Sequence, residues 1–250
     1  MSKVRVIPTL LTDGVTVVKG ESFESWRSVG SPQASARLFS LRNVDELMLL
    51  DVLATSQGRT ISIEIIEEFA DILSVPFSVG GGISNLESAR SILRSGAEKI
   101  VVGTAAYLDP NLIYSLANEF GSQAIIVSID VLQNEPFHVG IKSGSEFIEI
   151  DPERLVNNFE KIGVGEILLQ SIQHDGKMKG MNFSAITNIS NLTQLPVIAS
   201  SGAGSVKDFA MAIECGASAV AAGALFQFTE TTPKLIRDYL KQQKFQVRNA

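Results

Sequence analysis

PFSVGGGISNLESARSILRSGAEKIVVGTAA, Pro76 to Ala106, is written again 120 residues later as PVIASSGAGSVKDFAMAIECGASAVAAGALF, Pro196 to Phe226, without a gap. Pro76 falls on Pro196, Gly82 on Gly202, Gly96 on Gly216, Ala97 on Ala217 and Gly103 on Gly223. The same step carries DELMLLDV, Asp45 to Val52, onto GEILLQSI, Gly165 to Ile172, and so Glu46 onto Glu166. Repetition at a fixed period is evidence about architecture before it is evidence about anything else. One half of the chain is the other half duplicated.

Each half alternates short apolar runs with longer segments of helical period, the pattern of β-α units around a buried parallel sheet. The runs VRVIPTL, ELMLLDV, PFSVG, KIVVG, AIIVSID, EILLQSI, PVIAS and AVAAG predict eight strands. SIEIIEEFADIL, NLESARSILRSG, PNLIYSLANEFG, VKDFAMAIECG and PKLIRDYLKQQ carry apolar residues at helical spacing and predict helices. Four strands per half, taken twice, predict an α/β fold: a single (β/α)8 TIM barrel built from two half-barrels, with residues 1–250 as one domain. An open doubly wound sheet is the competing arrangement, and two gapless four-strand copies do not naturally produce one.

The 250 residues are 45% hydrophobic and contain no Pro/Gly/Ser-rich break, which suits one large core. A net charge of -6 excludes the concentrated basic face that nucleic acid or an anionic membrane surface requires. The single cysteine, Cys215, excludes an internal disulfide, and its apolar run FAMAIECGA reads as core; the expected location is the reducing cytoplasm. No segment reaches the roughly 20 apolar residues of a membrane span, and the start MSKVRVIPTLL has no cleavage pattern. Two histidines without Cys/His spacing predict neither a metal site nor another cofactor.

Active sites of such barrels lie at the C-terminal ends of the strands. Two Gly-rich turns, SVGGGIS and ASSGAGS, stand there between a strand and a helix, where backbone N–H groups can receive a phosphate. Either turn alone could be only a tight turn. Their duplication predicts two anion pockets, one from Gly81, Gly82, Gly103 and Thr104, the other from Gly202, Gly204, Gly223 and Ala224. The expected ligand is a phosphorylated small molecule with a phosphate at each end. Between the pockets the candidate acid/base groups are Asp130, ending VSID, with Asp51 and with Asp175 of QHDGK; Lys19 is a candidate cation above the mouth.

RVIPTLL, VVKG, DELMLLDV, PFSVGGGI, GAEK, GSQAIIVSID, GVGEILLQSI, the DGK-x-x-G loop and PVIASSGAG together resemble the cyclase subunit of imidazole glycerol phosphate synthase, from Arg5 to about Val247. The resemblance implies a lyase-type subunit of a glutamine amidotransferase complex. It implies a ribulosyl bisphosphate substrate bearing an aminoimidazole carboxamide, and ammonia from a glutaminase in a heterodimer. It also implies an ammonia gate at the barrel's base from Arg5, Glu46, Lys99 and Glu166, with Glu98 and Gln123 on the glutaminase-facing side. Ordinary ion pairs closing the barrel's base are the plainer reading of those four charges.

Two positions depart from the family. An essential Asp on the first strand, the partner of the residue matching Asp130, is replaced by Leu11; Asp13 corresponds to a loop residue, and Ala224 stands where a serine is usual. Leucine cannot transfer a proton. The reading adopted here is an ammonia conduit resembling the paralogues of surface-polysaccharide clusters, with a separate amidotransferase that amidinates an N-acetyl sugar. The alternative is a genuine histidine-pathway cyclase producing imidazole glycerol phosphate and AICAR. A barrel isomerase of the related pathway step ranks last, because it too expects a strand-one Asp and has no need of the four charges.

Overall fold

The apolar runs become strands because both faces of each are covered, one by the barrel interior and one by helices. The computed structural model describes residues 3–248. Among them are twelve strands: β1 Arg5–Thr12, β2 Val17–Glu21, β3 Glu24–Gly30, β4 Leu47–Asp51, β5 Phe77–Gly80, β6 Lys99–Val102, β7 Ile125–Asn134, β8 Phe137–Ile141, β9 Glu146–Glu149, β10 Glu166–Ser171, β11 Val197–Ala199 and β12 Ala219–Ala222. Eight of them, β1, β4, β5, β6, β7, β10, β11 and β12, pair in parallel in that order, and β12 returns to β1. The barrel is closed, as the repeat predicts.

The predicted helices form where their caps allow. Ser62 caps Ile63–Ile72, Asn85 caps Leu86–Arg94 and Thr232 caps Pro233–Gln242, each side chain accepting a first-turn N–H. Pro152–Ile162 starts on Asp151 with proline in its first turn and ends on Gly163 in the left-handed conformation. The helices bury Phe69, Phe159, Phe209 and many aliphatic residues against the outside of the barrel. A second, inner cluster of Ile7, Met48, Val101, Ile126, Leu168, Ile198, Ala219 and Ala221 fills the barrel's centre. The interior is packed rather than open, and each large side chain there contributes about 1.5–3 kcal/mol by burial. Cys215, at the C-cap of Val206–Glu214, is half-buried and packs against the core, as its run suggests.

The two halves differ by one residue in register. Thr9 opposite Met48 on β1 and β4 recurs as Ser128 opposite Leu168 on β7 and β10, and Leu11 opposite Leu50 recurs as Asp130 opposite Gln170. Met48 and Leu168 are 120 apart, whereas Thr9 and Ser128 are one fewer. A one-residue slip exchanges the faces of a strand, so it decides which side chains look inward. The extra residue is absorbed by a bulge between Val131 and Gln133, after which β2 and β8 again stand 120 apart.

Two segments between the predicted elements, Glu21 to Pro32 and Val131 to Glu146, are largely strand. β2 and β3 form one antiparallel hairpin over the mouth, and β7 continues past Asp130 to pair with β8, which pairs with β9. No described helix is long and apolar enough to cross a membrane.

Candidate active site

At the N-terminal ends of the strands the chain brings Arg5, Glu46, Lys99 and Glu166 into contact. Arg5 Nη1 donates to Glu46 Oε2 at 2.7 Å, and Arg5 Nη2 bonds Glu166. Lys99 Nζ donates to Glu166 Oε1 at 2.6 Å and reaches Glu46 Oε2 at 3.3 Å. Each cation touches both anions, which is what two largely buried carboxylates need to stay ionised. Burial alone would raise Glu166, but the bonds and charges of Arg5 and Lys99 outweigh it and hold the carboxyl below its ordinary value. Glu98 and Gln123 are exposed on the same rim, and Gln123 Nε2 donates to the Phe120 carbonyl at 3.1 Å.

The opposite end is an open mouth of about 1190 Å³, counted out to its open face, lined by Lys19, Asp51, Asp130, Asp175 and both Gly-rich turns. Lys19 does not hang over it in solvent. Its place on β2 turns it inward, so that it is 4% exposed and Nζ lies 3.4 Å from the Thr9 carbonyl. A methyl built on Gly223 would meet Nζ at 2.1 Å, so the ammonium sits against the second glycine pocket. Burial pushes Lys19 down to about 8, with Asp175 opposing.

Asp175 is raised by burial, against the opposing effects of Lys19, a hydrogen bond from Ser201 Oγ at 3.0 Å and the Gly176 N–H. Ser201 is a non-glycine residue at φ 74, where its repeat counterpart is Gly81. Such a conformation costs of order 1–3 kcal/mol and persists where surroundings enforce it.

Asp130 accepts from Gln170 Nε2 at 2.9 Å and from Ser128 Oγ, both on Oδ1. Burial raises its pKa, the two hydrogen bonds lower it, and the nearby Asp175 raises it again. Its counterpart across the repeat is Leu11, which also lines the mouth. Asp51 is differently engaged, because Oδ2 pairs with Arg59 at 2.5 Å while Oδ1 accepts from the Leu53 and Ala54 amides. Asp13 is likewise committed, accepting from Val15 and Thr16 N–H within its own turn.

The glycine turns sort themselves by contact. Gly81, Gly82, Gly103, Thr104, Gly202, Gly223 and Ala224 line the mouth, and around Gly103 an added methyl would meet nothing. Helices Thr104–Leu108 and Ala224–Phe228 begin at Gly103 and Gly223 with no side-chain cap, unlike the longer helices described above. Their first N–H groups are available to an outside acceptor. Gly204 corrects the expectation: its N–H donates to Asp208 Oδ2 at 2.9 Å, and a methyl there would meet the Met178 carbonyl at 2.1 Å. It serves the helix cap instead of the mouth.

Sequence reasoning passed over Arg59, Ser128, Gln170 and Ser201. Arg59 and Gln170 act across strands or loops, which only register reveals, whereas Ser128, two residues before Asp130 on one strand, and Ser201, opposite Gly81, were visible in the sequence. Among the described residues no group of three or more His, Cys, Asp or Glu is arranged to hold a metal ion.

A closed (β/α)8 barrel with glycine turns and carboxylates gathered at one mouth belongs to the class of (β/α)8 barrels, whose active sites lie at the C-terminal strand ends. This chain belongs to the family described as histidine biosynthesis protein, which it matches over residues 5–232. It is 40% identical over 246 residues to the imidazole glycerol phosphate synthase subunit HisF of Dictyoglomus thermophilum, covering 98% of each chain. The HisF subunit of Pyrobaculum aerophilum is 40% identical over 247 residues and that of Thermobifida fusca 37% over 252, again with 98% of each chain covered.

Glu166→Gln leaves two cations with one anion, and stability at pH 7 should fall by about 3 kcal/mol. Because the folded pKa of Glu166 is depressed, its contribution is complete above the ordinary Glu value of about 4.3 and is lost as pH falls through the folded value. The gap between the two proteins in urea unfolding should therefore close toward pH 3, and an undiminished gap there would contradict the pairing. At the mouth, Ser201→Ala should cost about 1–2 kcal/mol by losing the Asp175 bond while keeping the strain. Ser201→Gly, which loses both, should be close to neutral in the same assay; equal costs would show that no strain is held there.

Proposed function

We propose that a glutaminase docks on the rim of Glu98 and Gln123 and that its ammonia enters through the Arg5–Glu46–Lys99–Glu166 ring. The ammonia then crosses the apolar interior to a ligand carrying a phosphate at each end. In support, the relatives are named as subunits of a synthase, and ring and mouth stand at opposite ends of one closed barrel. The Thr9 and Ser78 hydroxyls are buried without a hydrogen-bond partner on strands lining that interior, and a passing small polar molecule would satisfy them. The ribulosyl bisphosphate is the ligand the family likeness favours, with the two glycine pockets taking its phosphates and Lys19 neutralising the second. A single free thiol, Cys215, fits a reducing compartment, and the cytoplasm is the location this reading favours.

The chain's own ring-closing chemistry is weakened. The observation carrying this is the register: where the second half presents Asp130 beside Gln170, the first presents Leu11 beside Leu50. A missing general acid or base is worth about 10²–10⁴ in rate. Ammonia leaving such a barrel is free for a separate amidotransferase acting on an N-acetyl sugar, the conduit role. A second reading, a working cyclase giving imidazole glycerol phosphate and AICAR, draws on one observation: Asp175 is buried between Lys19 and Ser201 and close enough to raise Asp130. In that case Asp175 is the second carboxylate.

With ammonium salt and the ribulosyl substrate, the purified chain should turn over slowly, and Leu11→Asp should raise kcat by about tenfold or more. Wild-type turnover equal to that of an ordinary cyclase would sink the conduit and favour Asp175. Inorganic phosphate should bind more weakly as pH rises through about 8, since Lys19 loses its charge there. Lys19→Met should abolish that trend in calorimetric titrations; a flat profile between pH 7 and 9.5 in the unaltered chain would place the phosphate elsewhere.

A further inference from the structure

The tips of the two half-barrels are cross-strand pairs in the same register, and each pair is chemically matched. Leu11 stands opposite Leu50, and Asp130 stands opposite Gln170. The apolar pair needs no further partner. The polar pair is elaborated: Gln170 Nε2 donates to Asp130 Oδ1 at 2.9 Å and to Ser128 Oγ at 3.3 Å, while Ser128 Oγ donates to the same Oδ1. Asp130 Oδ2 accepts no hydrogen bond among the described residues, and Asp130 lines the mouth. Two donors converging on one oxygen fix the plane of a carboxylate, and they leave the second oxygen as its only free acceptor.

We propose that Gln170 is a positioning residue which turns the Asp130 carboxylate so that Oδ2 alone is presented to the ligand. The proposal rests on the reading above that Asp130 acts on a molecule held in the mouth. Gln170 also sustains the charge that such a role needs. An ionised carboxylate is an acceptor only, so an amide N–H directed at it favours the charged form over the neutral one. This opposes two influences that favour the neutral form, burial and the facing Asp175. The remaining ionisable neighbour is Tyr107, whose hydroxyl donates to the Ser128 carbonyl at 2.9 Å and thereby braces β7 behind the carboxylate. Lys19 faces Asp175 and influences Asp130 only through it. Leu50 shows what the same strand position does when nothing has to be oriented.

The test is a carbon-NMR titration of the chain labelled at aspartate side-chain carboxyls, with the Asp130 signal assigned by its disappearance in Asp130→Asn. In Gln170→Leu, which installs the residue found at the equivalent tip, the Asp130 midpoint should move up by about one pH unit, the scale of one hydrogen bond to a charged group. Gln170→Met serves as a second variant of similar volume should the leucine variant not fold. In ammonium-supported turnover the acid limb of kcat should move up by the same amount with KM little changed. An unmoved Asp130 midpoint in a folded variant overturns the proposal. A moved midpoint with an unmoved kcat limb upholds the positioning and instead removes Asp130 from the chemistry.

Discussion

Two carboxylates and two cations buried together at the base of the barrel constrain the rest of the structure. Arg5 and Lys99 balance the two glutamates there, and removing one partner from such a cluster leaves a largely buried charge without its counterpart. The duplication supplies the two glutamates symmetrically. It does not supply the cations that way: both come from the first half, and the repeat counterpart of Lys99 is Ala219, which also pairs with Arg5 across β12 and β1. A second lysine there would add a third cation to two anions. The small alanine keeps the charges balanced and leaves room for the long side chains.

The mouth breaks the same symmetry in the opposite sense. Here the second half carries the polar groups Asp130, Gln170, Ser128, Asp175 and Ser201, and the first carries Leu11, Leu50 and Gly81. Lys19, Asp51, Thr9 and Thr104 are among the first-half exceptions, and β2 carries Lys19 across to Gly223 in the second half's pocket. Base and mouth thus use the two copies differently, and the inner layer between them matches only in part: Met48 falls on Leu168 and Val101 on Ala221, but Ile198 falls on Ser78. Between base and mouth lies the buried apolar cluster around Met48, Ile126 and Leu168.

Much of this was legible in the sequence. The eight strands follow from apolar runs bounded by glycine and proline, and the four charges of the base fall at strand starts, so their clustering follows once the barrel closes. The residues that tune the mouth were hidden for a physical reason. Gln170 meets Asp130, and Arg59 meets Asp51, only through register and loop path, and the one-residue slip in β1 is invisible to an alignment that runs gaplessly. Gly204, whose repeat position is Ser84, looked like the other glycines because composition cannot tell an N–H offered to a ligand from one already given to Asp208. The hairpins were missed because their strands are short and share no pattern: β2 and β8 are mostly buried while β3 and β9 are mostly exposed, with β3 carrying little apolar alternation.

The central claim is that the charged ring and the mouth are two ends of one path for ammonia. Its most direct test is an isotope competition: the chain with its partner glutaminase, glutamine labelled with nitrogen-15 in the amide, and unlabelled ammonium in the buffer, followed by mass spectrometry of the nitrogen incorporated into product from the ribulosyl substrate. The account predicts product enriched in nitrogen-15 far beyond its share of the total ammonia, however slow the turnover. Product carrying the isotopes in the proportions of the bulk solution would mean that ammonia reaches the mouth from outside, and the barrel would not be its route.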